Sequence, residues 1–359
     1  VTTVPPAPHP QPTGAPVGRR PLAAGNIVFV MLVAALVGGL LNAAGIRKTA
    51  DSQPVGLRRD LARIVAEPLF TVSHALHVDA LRSGLQSITG RSGDDTVNGK
   101  LPDPTVHDVV PAPTVKRAFN PIFPASTWIG GDSLSITPGE SFVAAAADTQ
   151  VISVVGGTDD GHVATGLARP EVFNWSQHIA DVIASDNPNA MVLTIGSNDD
   201  QVLTGDGGVG PYASAEWVDE YRRRVGGIMD QVTGSGKRTL FWLGVPPIRT
   251  RADDRYQPIN DIIREEAAKR PGRVVYLDLD QRFRGPDGGY ADALDGTVVR
   301  TPDGVHFTRD GANIVAQMIL DAMNQTYDLQ SWRTRTTTSA GGHKGSRTSA
   351  GTPTTTAAK

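Results

Sequence analysis

From Ser126 onward, short apolar runs alternate with amphipathic stretches. The runs "STWIGG", "VISVVGG", "AMVLTIGS", "TLFWLGVP" and "VVYLDLD" have strand length, are rich in Val, Ile and Leu, and lack polar alternation. That pattern predicts parallel strands covered on both faces. Between and after them, "FNWSQHIADVIAS", "EWVDEYRRRVGGIMDQV", "INDIIREEAAKR" and "ANIVAQMILDAMNQ" carry helical spacing. Strand-helix alternation of this kind predicts a doubly wound α/β sheet over 126–328, with ligand sites at the carboxyl ends of its strands.

The first third of the chain is patterned differently. No residue between Arg20 and Arg47 is charged, and "NIVFVMLVAALVGGLLNAAGI" is apolar enough to predict one transmembrane helix over 21–47. Leu57, Leu61, Ile64, Val65, Val72, Leu76 and Leu81 then recur at roughly helical spacing, which predicts a stalk helix over 48–90, bent near Pro68. A polar, proline-punctuated linker follows over 91–125. The ends, 1–20 and 329–359, are rich in Pro, Thr, Ser, Gly and Ala and are predicted to be disordered tails. Arg19 and Arg20 precede the predicted span, whereas Arg47, Lys48, Arg58, Arg59 and Arg63 follow it. Counted plainly, those charges would place the large domain in the cytoplasm.

Composition narrows the chemistry. The 359 residues carry a formal net charge of -3, show no basic face and contain no aromatic-basic motif, so nucleic acid is not expected as a partner. There is no cysteine, which excludes a thiolate nucleophile and Cys-ligated zinc. Any nucleophile must be an oxygen or an amine.

Three polar groups fall at predicted strand ends or in the loop before the last helix. In "GGDSLS" two glycines permit a tight turn, and Ser133 lies near the start of the next helix, where unpaired backbone N–H groups favour an oxyanion. Alone, this reads equally as a helix cap by Asp132 or Ser133. In "GSNDD", Asn198 is placed to donate to a developing oxyanion, or simply to form a turn. In "TPDGVHFT", Asp303 and His306 stand three residues apart, so a carboxylate can fix the imidazole tautomer and free the other nitrogen to take a serine proton; alone, the pair reads equally as an ordinary Asp and His of a surface loop. Asp199, Asp200 and Asp206 have no His, Cys or Glu at ligand spacing beside them, so no metal or other cofactor is expected.

Taken together, these blocks resemble the SGNH hydrolases, or GDSL esterases, over roughly Ser126 to Gln325. The second block of that family is similar to "TGLARPEVFNW", Thr165 to Trp175, in a form resembling a membrane-anchored bacterial branch known as a domain of unknown function. The resemblance implies a flavodoxin-like three-layer sandwich and a serine esterase. It implies Ser133 as nucleophile, His306 as base and then acid, and Asp303 as its orienting carboxylate. The oxyanion hole would comprise the N–H groups of Ser133 and Gly166 and the side chain of Asn198; Gly166 rests on the resemblance alone.

The resemblance further implies an O-acyl ester substrate, acetyl or another short acyl, on envelope glycan or glycolipid, with the domain outside the cytoplasm despite the charge count. Arg169 and Tyr212 are candidate substrate contacts, Arg169 by binding a carboxylate or phosphate unless it merely pairs with Glu171. Two alternatives share these residues: an acyltransferase that passes the acyl group to a glycan hydroxyl, and a catalytically silent glycan-binding domain.

Overall fold

The computed structural model describes residues 24–51, 57–76, 99–205, 208–234 and 236–333. The predicted tail 1–20, the later part of the predicted stalk, the start of the linker and the tail from 334 onward lie outside them. The chain divides into two compact units, one comprising residues up to Arg47 together with 62–95, the other 48–61 together with 96–359.

The first unit draws on α1 (Ala24–Leu41), α2 (Ala43–Asp51) and α3 (Leu57–Ala75). Among the described residues no helix is long and apolar enough to cross a membrane. The single span predicted over 21–47 is therefore corrected to two shorter helices that meet at Asn42. α1 has 18 residues, a rise of about 27 Å against a hydrocarbon core of roughly 30 Å. Its apolar run cannot continue into α2, whose first turns include the charged Arg47. α3 runs through Pro68 without a break in its helical assignment. Within this unit Ser73 Oγ donates to Leu40 O at 2.8 Å, and Arg47 pairs with Glu67 at 3.2 Å while lying over the Phe70 ring.

The second unit is α/β with a parallel central sheet. Strands β1 (Ala125–Gly131), β2 (Ile152–Val154), β3 (Asp160–Gly161), β4 (Ala190–Thr194), β5 (Thr239–Leu243) and β6 (Val274–Leu277) pair in parallel in the order β2-β1-β4-β5-β6, with β3 joined to the carboxyl end of β1. Helices α4 (Ile136–Thr149), α5 (Trp175–Ser185), α6 (Ala215–Thr233), α7 (Gln257–Ala268), α8 (Leu279–Arg282) and α9 (Arg309–Thr326) complete it, with a short ribbon β7 (Ala293–Leu294) and β8 (Thr297–Val298).

Every residue of β4 and β5 is buried, as expected of central strands without polar alternation. Successive side chains leave opposite faces of the sheet. Trp128, Met191, Leu193, Leu240 and Trp242 pack with α5, α6 and α7 on one face. Ile129, Val192, Phe241 and Leu243 pack with α4 and α9 on the other, so the unit has three layers. Trp175, Trp217 and Trp242 are fully buried in the first of these cores.

The polar segment that precedes β1 lies along the same unit: Thr105 and Val106 donate backbone N–H groups to Asp230 Oδ2, and Val110 to Lys269 O. At the other end Leu329, inside the predicted tail, is buried with α9.

The chain leaves β1 toward β2 on one side and later crosses to β4 on the other. β1 and β4 therefore flank the point where strand order reverses, the place where doubly wound sheets open a crevice at their carboxyl ends. Ser133 follows β1 and Asn198 follows β4.

Candidate active site

The exit of β1 is built by close backbone approach. Gly131 sits at φ +154, and a Cβ there would lie 2.1 Å from Thr194 O on β4, so only glycine lets the two strand ends come together. Asp132 N donates to Thr194 O at 2.8 Å, and its buried carboxylate accepts from Leu134 N at 2.9 Å and from Ser197 Oγ at 2.7 Å. Asp132 thus fastens the turn carrying Ser133 to the loop carrying Asn198. α4 begins only at Ile136, its cap position Ser135 makes no side-chain capping bond, and Ser133 Oγ is 2.9 Å from His306 Nε2. Neither Asp132 nor Ser133 spends its side chain on a helix cap.

Burial raises the Asp132 carboxyl to about 6, against its hydrogen bonds, which lower it. A folded-state pKa above the unfolded value contributes stability below about pH 4, and this contribution is lost as pH rises through about 6. Two units correspond to roughly 3 kcal/mol. Denaturant midpoints measured from pH 4 to 7 should therefore fall more steeply for the wild type than for Asp132→Asn. Parallel curves for the two proteins would reject this role for the buried carboxyl.

His306 comes from the loop before α9. Thr308 caps that helix by accepting from Gly311 N, which places His306 two residues ahead of a fixed end. Asp303 Oδ1 accepts from Thr301 Oγ1 and from the backbone N–H groups of Val305 and His306, leaving Oδ2 at 2.7 Å from His306 Nδ1. Burial alone would raise the Asp303 carboxyl, but the bonds from His306, Thr301 and these two N–H groups outweigh it and hold the group well below the usual carboxylate range. An ionised carboxylate only accepts, so Nδ1 carries the proton and Nε2 is left as acceptor toward Ser133.

Arg300 completes this loop. It is buried, donates to Val305 O at 2.9 Å and Pro247 O at 3.1 Å, and stacks 4.2 Å over the Phe307 ring; burial pulls its pKa down to about 10.

Asn198 and Gly166 meet across a second pair of loops. Asn198 Nδ2 donates to Thr165 O at 3.0 Å, with a weaker 3.3 Å contact to Ser197 Oγ. Gly166 is bound to its position by Asp199: a Cβ there would stand 2.1 Å from Asp199 Oδ1. The same buried carboxylate accepts from Leu167 N at 3.0 Å, Ala168 N at 2.7 Å and Tyr221 OH at 2.8 Å. Arg224, also buried, donates to Leu167 O at 2.8 Å and Thr204 O at 2.7 Å. The 166–168 loop is thus gripped by its N–H groups from one side and its carbonyls from the other.

Among the described residues, one set of metal-ligating side chains converges: Asp160, His162 and His178, with ligand atoms within 4.8 Å of one another. The same atoms form a hydrogen-bonded set. His162 Nε2 meets Asp160 Oδ1 at 3.0 Å, His178 Nε2 meets Oδ2 at 2.8 Å, and Trp128 Nε1 donates to Oδ2 at 3.0 Å. The bonds from His162 and His178 hold the Asp160 carboxyl well below the usual range, against the burial that would raise it. His162 N also donates to Gly131 O, so this set braces the start of the loop that leads to Gly166.

Of the two expected substrate contacts, Arg169 lines a cavity of about 570 Å³ together with Ala164, Ser197, Asn198, Asp200, Gln201, Arg251 and Arg255. Tyr212 is not among its walls. Its hydroxyl donates to Arg255 O, its ring packs edge-on against Trp217, and Arg255 lies 4.1 Å over it, so Tyr212 supports an arginine of the cavity from behind. Sequence reasoning did not reach Asp132, Asp160, Tyr221, Arg224, Arg251, Arg255 or Arg300 as parts of the site.

Residues 126–322, more than half of the chain, match the family described as "Protein of unknown function (DUF459)". The chain belongs to this family. No curated protein matches it. Among solved structures, this DUF459 chain is similar to a carbohydrate esterase family 3 protein from Talaromyces cellulolyticus at 14% identity and a TM-score of 0.39, covering 56% of this chain and 97% of that one. It is also similar to a Clostridium thermocellum family 3 carbohydrate esterase at 16% identity and a TM-score of 0.39, covering 56% and 98%. A third likeness, with a putative acylhydrolase from Bacteroides fragilis, has 16% identity and a TM-score of 0.39 over 57% and 88%. At these scores the likeness says nothing of function.

Proposed function

We propose that this protein is a serine esterase of the SGNH type that hydrolyses O-acyl esters, acetyl or another short acyl, on glycans or glycolipids. The observation that carries the reading is the continuous chain Ser133 Oγ, His306 Nε2, His306 Nδ1, Asp303 Oδ2, with contacts of 2.9 and 2.7 Å at a strand switch point. Ser133 Oγ forms a bond to the acyl carbon as its proton passes to His306 Nε2. The oxyanion accepts hydrogen bonds from the N–H groups of Ser133 and Gly166 and from Asn198 Nδ2, whose weaker contact to Ser197 yields to a charge-assisted bond. The ester C–O bond then breaks and His306 returns the proton to the leaving alkoxide. Water repeats the sequence on the acyl-enzyme, releasing the acid and restoring Ser133.

A polar cavity beside Asn198, lined by arginine, serine and glutamine, suits a hydroxyl-rich alcohol better than a fatty chain. A fluorophosphonate probe tests the nucleophile directly: peptide mass spectrometry should find the adduct on Ser133, and labelling elsewhere or nowhere would sink the reading. Incubation with an O-acetylated glycan should then release free acetate. Acetyl appearing on an added glycan without free acetate would replace the esterase with an acyltransferase using the same residues.

A further inference from the structure

The cavity beside Asn198 has an excess of positive charge. Arg169, Arg251 and Arg255 line it, with Asp200 as the one acidic residue among its walls. Asp200 Oδ2 is shared by two guanidinium groups, Arg251 Nε at 2.9 Å and Arg255 Nε at 3.0 Å, while Arg255 Nη2 is spent on Asp200 O. One carboxylate cannot neutralise two arginines, and each guanidinium has five N–H donors.

Arg169 has an ion-pair partner in Glu171 but no hydrogen bond to it. Its nearest carboxylate oxygen, Glu171 Oε1, is 3.8 Å from Nε, too far for a hydrogen bond, and Arg169 Nε is buried with no hydrogen-bond partner. Glu171 is buried and turned to Thr204 Oγ1 at 2.6 Å. Glu171 therefore offsets the charge of Arg169 without accepting from its guanidinium. A guanidinium held this way matches the planar, bidentate geometry of a carboxylate or phosphate. The three side chains come from two segments, the 166–171 loop and the turn before α7, and they line one cavity with Asn198.

We infer that the ester handled at Ser133 carries an anionic group, a carboxylate or a phosphate, that is seated in this cavity by Arg169, Arg251 and Arg255. The inference rests on the esterase reading and adds the class of substrate. A carboxylate would belong to the acyl part, as in a dicarboxylic half-ester. A phosphate would belong to the alcohol part, as in an acylated sugar phosphate.

The full-length protein decides between these with two matched pairs: 6-O-succinyl against 6-O-butyryl methyl glucoside, and 6-O-acetylglucose 1-phosphate against 6-O-acetyl methyl glucoside, with released acid measured by chromatography. In at least one pair kcat/KM for the anionic ester should exceed that for the neutral one tenfold or more, and the pair that responds identifies the source of the charge. In Arg169→Gln and in Arg251→Gln that ratio should fall at least tenfold, mainly through KM. Neutral esters preferred in both pairs, or an anionic preference untouched by either substitution, would overturn the inference. If no ester is turned over, the esterase reading fails instead. Calorimetric binding of the succinyl and phosphate compounds to the same proteins then decides the cavity's role: tenfold weaker binding in Arg251→Gln supports it, and equal or absent binding rejects it.

Discussion

Ser133→Ala is expected to lower kcat for p-nitrophenyl acetate about a thousandfold or more, with no loss of thermal stability. The side chain is half-buried and its bond goes to His306, so its removal leaves no buried donor or acceptor stranded. His306→Ala should cost a comparable factor. In the proposed mechanism the serine and the imidazole act as one unit, so the double variant should be no slower than either single one. Independent contributions would instead multiply. Wild-type rates in either single variant, or a double variant slower by the product of the two, would end the assignment of these residues to a shared proton transfer.

The position of Asp303 modifies what its own substitution does. In the protease that calibrates such triads, the buried carboxylate changed to Asn loses about ten thousandfold through the wrong imidazole tautomer. Here Asp303 is half-exposed, and its other oxygen holds the turn through Thr301, Val305 and His306 N. Tautomer control and loop shape both pass through one side chain, and Arg300 holds the same loop from beneath through Val305 O.

How much of this could be read from residues alone follows from range. Strands β4 and β5 were legible because a central parallel strand must be apolar on both faces, and "AMVLT" and "TLFWL" are. Ser133, Asn198 and the Asp303/His306 pair were legible because each sits beside a strand or helix end that the hydrophobic pattern locates. The break at Asn42 was not, since one polar residue in an apolar run is weak against a window average. Gly166 was not legible from physics either. Its requirement is a carboxylate brought within 2.1 Å of a would-be Cβ from thirty-odd residues further on, a contact no local pattern encodes. Arg224 did leave a signal. Trp217, Tyr221, Arg224 and Ile228 fall on one face of α6 at spacings of four and three, so a cation stood in an apolar stripe where it needed buried partners.

Asp199, buried against the same 166–168 loop, is the second residue whose loss should be severe. Read locally, it belonged to a run of acids that suggested, and failed to support, a cation site. In the fold it is buried and accepts from Leu167 N, Ala168 N and Tyr221 OH, and burial raises its pKa against these bonds and the nearby Arg224 charge. Asp199→Ala leaves three donors without an acceptor, a cost of about 3 to 5 kcal/mol. For a unit of this size that lowers Tm by roughly 6 to 20 °C. Asp199→Asn separates folding from positioning, because it keeps the volume but can accept on one side only, turning an N–H₂ toward Leu167 N or Ala168 N. Its loop should shift, carrying Gly166 with it, and kcat for p-nitrophenyl acetate should fall about a hundredfold at a temperature where the protein is fully folded. Gly166→Ala should show the same kinetic loss, its Cβ displacing the carboxylate that the loop is built on. A wild-type kcat in Asp199→Asn would mean that this carboxylate merely stabilises the fold, and the proposed oxyanion role of the 166–168 loop would lose its support from Asp199.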